Sequence, residues 1–123
     1  MSTSESVLVR GDISFADLVM LVEPLIPTAA EVTQTQWGYS YPGGYSISDA
    51  VINDDWYEDD HGLPLSQYRF DISMDGPGQY QVAQQDWAKR VFELLSMETT
   101  LDLIWVGDLE VLRSSRPPLL QAT

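Results

Sequence analysis

The chain contains no cysteine and a single histidine, His61, and only 6 of its 123 residues are Lys or Arg. The absence of Cys removes disulfide staples, thiolate nucleophiles, zinc ribbons and cysteine-ligated clusters, so packing alone has to hold the fold. The scarcity of Lys and Arg argues against binding nucleic acid or an anionic membrane surface, because both need clustered cations to neutralise phosphate. Long apolar runs are missing too. The longest, Leu18 to Val22, is bounded by Asp17 and by Glu23, Pro24 and Pro27, far short of the roughly 20 residues of a membrane-spanning helix. The start, Met1-Ser2-Thr3-Ser4-Glu5, has no basic region ahead of an apolar stretch and does not read as a signal peptide. A soluble cytosolic protein is expected.

What the chain does have is acid and apolar surface together. Its 19 Asp plus Glu against 6 Lys plus Arg give a formal charge of −13, while 44% of residues are apolar and 11% aromatic. That apolar content is enough for a core, so the acidity is not the signature of a disordered chain. The length suits one domain, expected over residues 1–116, with Pro117-Pro118 opening a fraying tail over 117–123.

Hydrophobic periodicity and turn residues outline the elements. Ser6 to Arg10 reads as a strand closed by Gly11-Asp12. Ser14 is a candidate N-cap with Asp17 three residues on, and Phe15, Leu18, Val19, Val22 and Leu25 keep helical spacing, predicting a helix over about 14–25 that the prolines end. Residues 31–41 and 45–52 alternate as two strands of a hairpin around Pro42-Gly43-Gly44. After a polar loop over 53–66, Tyr68, Phe70, Ile72 and Met74 mark a half-buried strand that Asp75-Gly76-Pro77-Gly78 ends. Ala83, Trp87, Val91, Leu94 and Leu95 form the stripe of a helix over about 79–97, with Asp86 and Arg90 as an i, i+4 ion pair. Thr99 to Val106 reads as a strand, and Leu109 to Arg113 as a short hairpin return. This order predicts an α+β fold: a two-layer sandwich of ferredoxin-like character, with an antiparallel sheet and two helices on one face.

Motifs for chemistry fail when their spacing is tested. Five carboxylates fall between Asp54 and Asp60, a composition suited to a hard cation such as calcium, which takes about six to eight oxygen ligands. With Gly62 at the obligatory glycine of a calcium loop, however, Tyr57 would stand at the first ligand position. Asp71-Ile72-Ser73-Met74-Asp75-Gly76 fits the first half of that loop, but its twelfth position holds Val82 instead of Glu, so the two segments read as a solvated acidic loop and a strand end. Nucleophilic catalysis would depend on His61, whose neighbours Asp59 and Asp60 favour the charged imidazole where a general base has to be neutral. Gly38-Tyr39-Ser40-Tyr41-Pro42-Gly43 places its second glycine one residue late for a nucleophile elbow. Gly76-Pro77-Gly78 lacks a third glycine, loses a donor to Pro77 and lies in an anionic chain, so it is a poor phosphate cradle. No catalytic residue, metal or cofactor is assigned.

The charge is concentrated. Residues 1–67 carry 11 acids and one base, a balance of −10, and residues 68–123 carry eight acids and five bases, a balance of −3. The first part also holds Trp37, Tyr39, Tyr41, Tyr45, Trp56 and Tyr57, six of the 13 aromatics. Trp37 and Tyr39 fit a sheet core. Trp56 and Tyr57 stand inside the charge run, where no apolar periodicity asks for burial, and such aromatics anchor interfaces while the acids around them steer a basic partner.

In its Cys-free length, its Asp54–Asp60 cluster around Trp56 and Tyr57, and its late strand (Tyr68 to Met74), helix (with Asp86-Trp87-Ala88) and strand (Leu101 to Val106), the chain resembles the small acidic cytosolic immunity proteins of bacterial toxin systems. The resemblance implies a non-enzymatic inhibitor that binds a basic toxin and blocks its active site or substrate path, with no catalytic residues to carry over. Asp54, Asp55, Glu58, Asp59 and Asp60 would then supply steering and salt links, with Trp56 and Tyr57 as anchors. The alternatives are a small ligand- or metal-binding domain or carboxylate-dependent hydrolase, and an accessory subunit of a larger assembly.

Overall fold

A computed structural model of the chain describes residues 2–49, 68–107 and 110–114. Strand β1 (Ser2–Arg10) leads through Gly11-Asp12 into helix α1 (Phe15–Val22), which a 3₁₀ turn continues over Glu23–Leu25. The expected cap forms: Ser14 Oγ accepts the Asp17 N–H at 3.1 Å. Strands β2 (Thr33–Thr35), β3 (Gly38–Tyr41) and β4 (Tyr45–Asp49) follow, then β5 (Phe70–Pro77), helix α2 (Gln81–Glu98), β6 (Asp102–Gly107) and β7 (Glu110–Ser114). All seven strands form one antiparallel sheet in the order β2-β3-β4-β5-β1-β6-β7. Its four central strands, β4-β5-β1-β6, with α1 after β1 and α2 after β5, have the ferredoxin-like arrangement in which two βαβ units interleave. The β2–β3 hairpin extends one edge and β7 the other.

Both helices cover the same face. The core between them and the sheet takes Val7 and Val9 from β1, Phe70 and Ile72 from β5, Ile47 from β4 and Leu103 from β6, closed by Leu18, Val19 and Val22 of α1 and by Trp87, Ala88, Val91, Phe92 and Leu95 of α2. Trp87 joins the layers, since its Nε1–H donates to the Leu25 carbonyl at 2.8 Å and its ring meets Tyr45 edge-on at 5.0 Å. On the opposite face a smaller cluster forms from Leu8, Tyr68 and Ile104.

Several details differ from the sequence expectation. The strand expected over 31–41 is a 3₁₀ turn followed by a two-residue hairpin, because Thr35 Oγ1 accepts the N–H groups of both Trp37 and Gly38 at 3.2 Å and folds the chain back. Strand β5 runs on through Asp75-Gly76-Pro77, paired with Ser4, Thr3 and Ser2. Pro77 is tolerated there because β4 pairing stops at Met74, so its missing donor faces no strand on that side. The buried stripe of α2 includes Gln84 and Phe92 and leaves Ala83 exposed. Gln84 Nε2 donates to the Pro77 carbonyl at 3.2 Å, which satisfies the amide inside the core. The ion pair along the outer face of α2 links Lys89 to Glu93 at 3.8 Å, in place of the expected Asp86 and Arg90.

Candidate functional site

The acidic residues Asp54, Asp55, Glu58, Asp59 and Asp60, the aromatics Trp56 and Tyr57 within them, and His61 lie outside the described residues, as does the 117–123 tail. The structure does define the frame from which that segment departs and to which it returns. Asp49, the last described residue before that segment, closes β4, and Tyr68 and Arg69, the first described after it, stand just before the neighbouring strand β5. A two-pronged ion pair clamps these ends together: Arg69 Nε and Nη2 donate to Asp49 Oδ1 and Oδ2 at 3.1 and 3.0 Å. The Asp49 side chain is 3% exposed and that of Arg69 46%. The guanidinium lies 4.9 Å from the centre of the buried Phe70 ring, and the hydrogen bonds it donates to Asp49 push its pKa up.

The same corner presents an aromatic side chain. The Asp49 backbone N–H donates to the Trp37 carbonyl at 2.8 Å, which ties the β2–β3 turn to the point where the acidic segment begins. Gly38 makes this close approach possible, because a Cβ there would lie 2.2 Å from the Ile47 carbonyl oxygen. Trp37 is 41% exposed, so the expectation that it fills the sheet core is corrected. Tyr39, Tyr41 and Tyr45 do face the helices, as their alternation suggests. Tyr41 donates its hydroxyl to Glu23 Oε2 at 2.8 Å, and burial together with that carboxylate holds the phenol protonated well above its usual range. The position of Trp37 was hidden in the sequence by the hairpin turn, whose signal is Thr35 two residues ahead of it.

The sheet face away from the helices is polar across its middle. Ser40, Ser46, Ser73 and Ser6 fall in register over β3, β4, β5 and β1. Ser73 Oγ donates to Asp71 Oδ1 at 2.6 Å and lies 3.1 Å from Ser6 Oγ. Asp71 and Ser73 are both buried, so these bonds satisfy a carboxylate that would otherwise be costly there. Among the described residues, no group of three or more His, Cys, Asp or Glu could hold a metal ion.

Two perturbed groups on this face have measurable consequences. Partial burial, together with the charge of Asp71, raises the Asp75 pKa. A carboxyl raised in the folded state favours folding below its ordinary range, and that contribution is lost as pH rises through the raised value. Asp75→Asn should therefore raise the thermal unfolding midpoint at neutral pH, with the gain shrinking as the pH falls into the carboxyl range; a gain independent of pH would contradict this cause. The Tyr68 hydroxyl is buried without a hydrogen-bond partner among the described residues, and burial raises its pKa. Because an unmet buried hydroxyl is unfavourable, Tyr68→Phe should stabilise the protein by about 1 kcal/mol in urea unfolding.

Electrostatics across the described surface leave the anionic excess unbalanced. Arg10 is held by Asp102 at 2.7 Å, Arg69 by Asp49 and Lys89 by Glu93. Exposed carboxylates at Asp12, Asp17, Glu31, Asp86 and Glu98 have no ion-pair partner among the described residues. No helix among the described residues is long and apolar enough to cross a membrane. Comparison of the chain with protein-family models, curated proteins and solved structures finds no match.

Proposed function

We propose that the protein is a non-enzymatic binding and inhibitor protein of the toxin-immunity kind, which captures a basic protein partner through an acidic surface carrying aromatic anchors. The observation that carries this reading is the run Asp54 to Asp60, five carboxylates around Trp56 and Tyr57, in a segment whose two ends the Asp49–Arg69 pair clamps on adjacent strands. Exposed Trp37, bonded at the same corner, adds a described aromatic to the surface. Pairing of Arg10, Arg69 and Lys89 with acids of the fold itself leaves few cations to oppose a basic partner. The carboxylates speed encounter and the aromatics slow release, a division of labour seen when rim charges surround buried anchors.

The double variant Asp55→Asn, Trp56→Ala tests this division. Loss of one steering charge and one anchor should weaken partner binding by at least about tenfold, mainly through faster dissociation, since truncating an anchor typically costs about 2 kcal/mol or more. Surface plasmon resonance on the captured partner reads both rates, and unchanged affinity would remove this segment from the interface.

A further inference from the structure

We propose a second contact for the basic partner, an open groove at the far end of α2 that takes one of its long basic side chains. The groove forms where the β1–α1 turn meets the α2–β6 turn, a shallow depression of about 420 Å³ wide open to solvent. The two turns are in direct contact: Gly11, at φ +147°, sits so close to Leu101 that a Cβ would lie 2.4 Å from the Leu101 side chain. Ile13, Leu101 and Met97 supply apolar lining, with Met97 82% exposed, while Asp12 and Glu98 place a carboxylate on each turn.

Three features of the site favour a cation with an aliphatic stem. Asp12 and Glu98 have no ion-pair partner among the described residues, and Arg10, two residues before Asp12, is already held by Asp102 at 2.7 Å. Glu98 is the last residue of an 18-residue helix with no basic residue in its final turn. The C-terminal end of a helix carries partial negative charge, so an acid there adds to the helix field where a base would normally offset it. The apolar lining contributed by Ile13, Leu101 and Met97 matches the methylenes of Lys or Arg, which cover apolar surface while the charged head reaches the acids of the rim. A neutral apolar side chain would leave both acids of the lining uncompensated, and an acidic one would be repelled.

This contact presupposes the basic partner proposed above but uses none of the residues between Asp54 and Asp60. The probe is N-acetyl-arginine amide, titrated into the ¹⁵N-labelled full chain, with N-acetyl-citrulline amide as its uncharged counterpart. The expected result is saturable amide shifts at Gly11 to Ile13 and Met97 to Leu101 with the arginine probe, absent with citrulline. The shifts should disappear in Asp12→Asn, Glu98→Gln, whose spectrum elsewhere is unchanged, and persist in Asp55→Asn, Trp56→Ala. Equal shifts with citrulline, or none at these residues, would overturn the groove. Shifts confined to 54–60 would overturn it while leaving the acidic-segment reading intact, and shifts at the groove with 54–60 unmoved would support the groove and count against that reading.

Discussion

Replacing Arg69 by alanine should destabilise the protein by about 3 kcal/mol, because it leaves the Asp49 carboxylate, 3% exposed, without the guanidinium that neutralises it. The pair is asymmetric in exposure, and the two single variants should differ accordingly. Asp49→Asn removes the buried charge and leaves Arg69, 46% exposed, free to turn to water, at a cost of about 1–2 kcal/mol. The double variant Asp49→Asn, Arg69→Ala should lie well short of the sum of the singles, since the buried charge that Arg69 neutralises is no longer present. Urea unfolding of the four proteins measures the cycle. Strict additivity would mean that the two groups do not interact energetically despite their 3.0 and 3.1 Å contacts. Because this pair joins the ends of the acidic segment, Asp49→Asn should also weaken partner binding even where the protein remains fully folded.

Gly44→Ala should cost about 3–5 kcal/mol, the other large effect on stability. Gly44 has φ +90°, where an L side chain is strained, and a Cβ there would lie 1.8 Å from the Asp75 carbonyl oxygen. That contact is with backbone of the central strand β5, which also donates the Asp75 N–H to the Gly44 carbonyl at 3.0 Å. Relief therefore requires the β3–β4 turn to move off the sheet, and overpacking adds to the backbone strain. Gly43→Ala is the internal comparison. It has a similar φ of +95°, but its Cβ would meet only the Tyr45 ring at 3.1 Å, and a side chain can shift. It should cost about 1–2 kcal/mol. Equal losses for the two variants would show that conformational strain, not the close approach to β5, governs the turn.

Local signals in the sequence were enough for most of the fold. The Ser14 cap, the Pro42-Gly43-Gly44 turn and the alternation of Phe70, Ile72 and Met74 each correspond to a feature of the structure, and the two helices fall on one face of an antiparallel sheet as their stripes require. What escaped was decided by contacts between distant residues. Gln84 is polar yet buried, because the carbonyl that satisfies it belongs to Pro77 in a strand whose extent Gly76 and Pro77 conceal. Trp37 looks like a core residue in an alternating run and becomes exposed through a turn set by a single threonine hydroxyl. The Asp49–Arg69 clamp joins residues 20 apart in sequence, with no local pattern to announce it. The acidic cluster was legible as composition, and the structure adds the ion pair between Asp49 and Arg69, the described residues on either side of it.

The most direct test of the basic-partner reading is the ionic-strength dependence of association. The partner is captured on the immobilised wild-type chain, with Asp55→Asn, Trp56→Ala alongside, and its association rate is followed as salt is raised well above physiological levels, where the Debye length falls below about 8 Å. The expected result is a basic protein, retained by the wild type and lost from the variant, whose association rate falls steeply with salt, as steering by unlike charges requires. A partner retained equally by both proteins, or one whose association rate does not change with salt, would contradict capture through the acidic, aromatic-bearing segment.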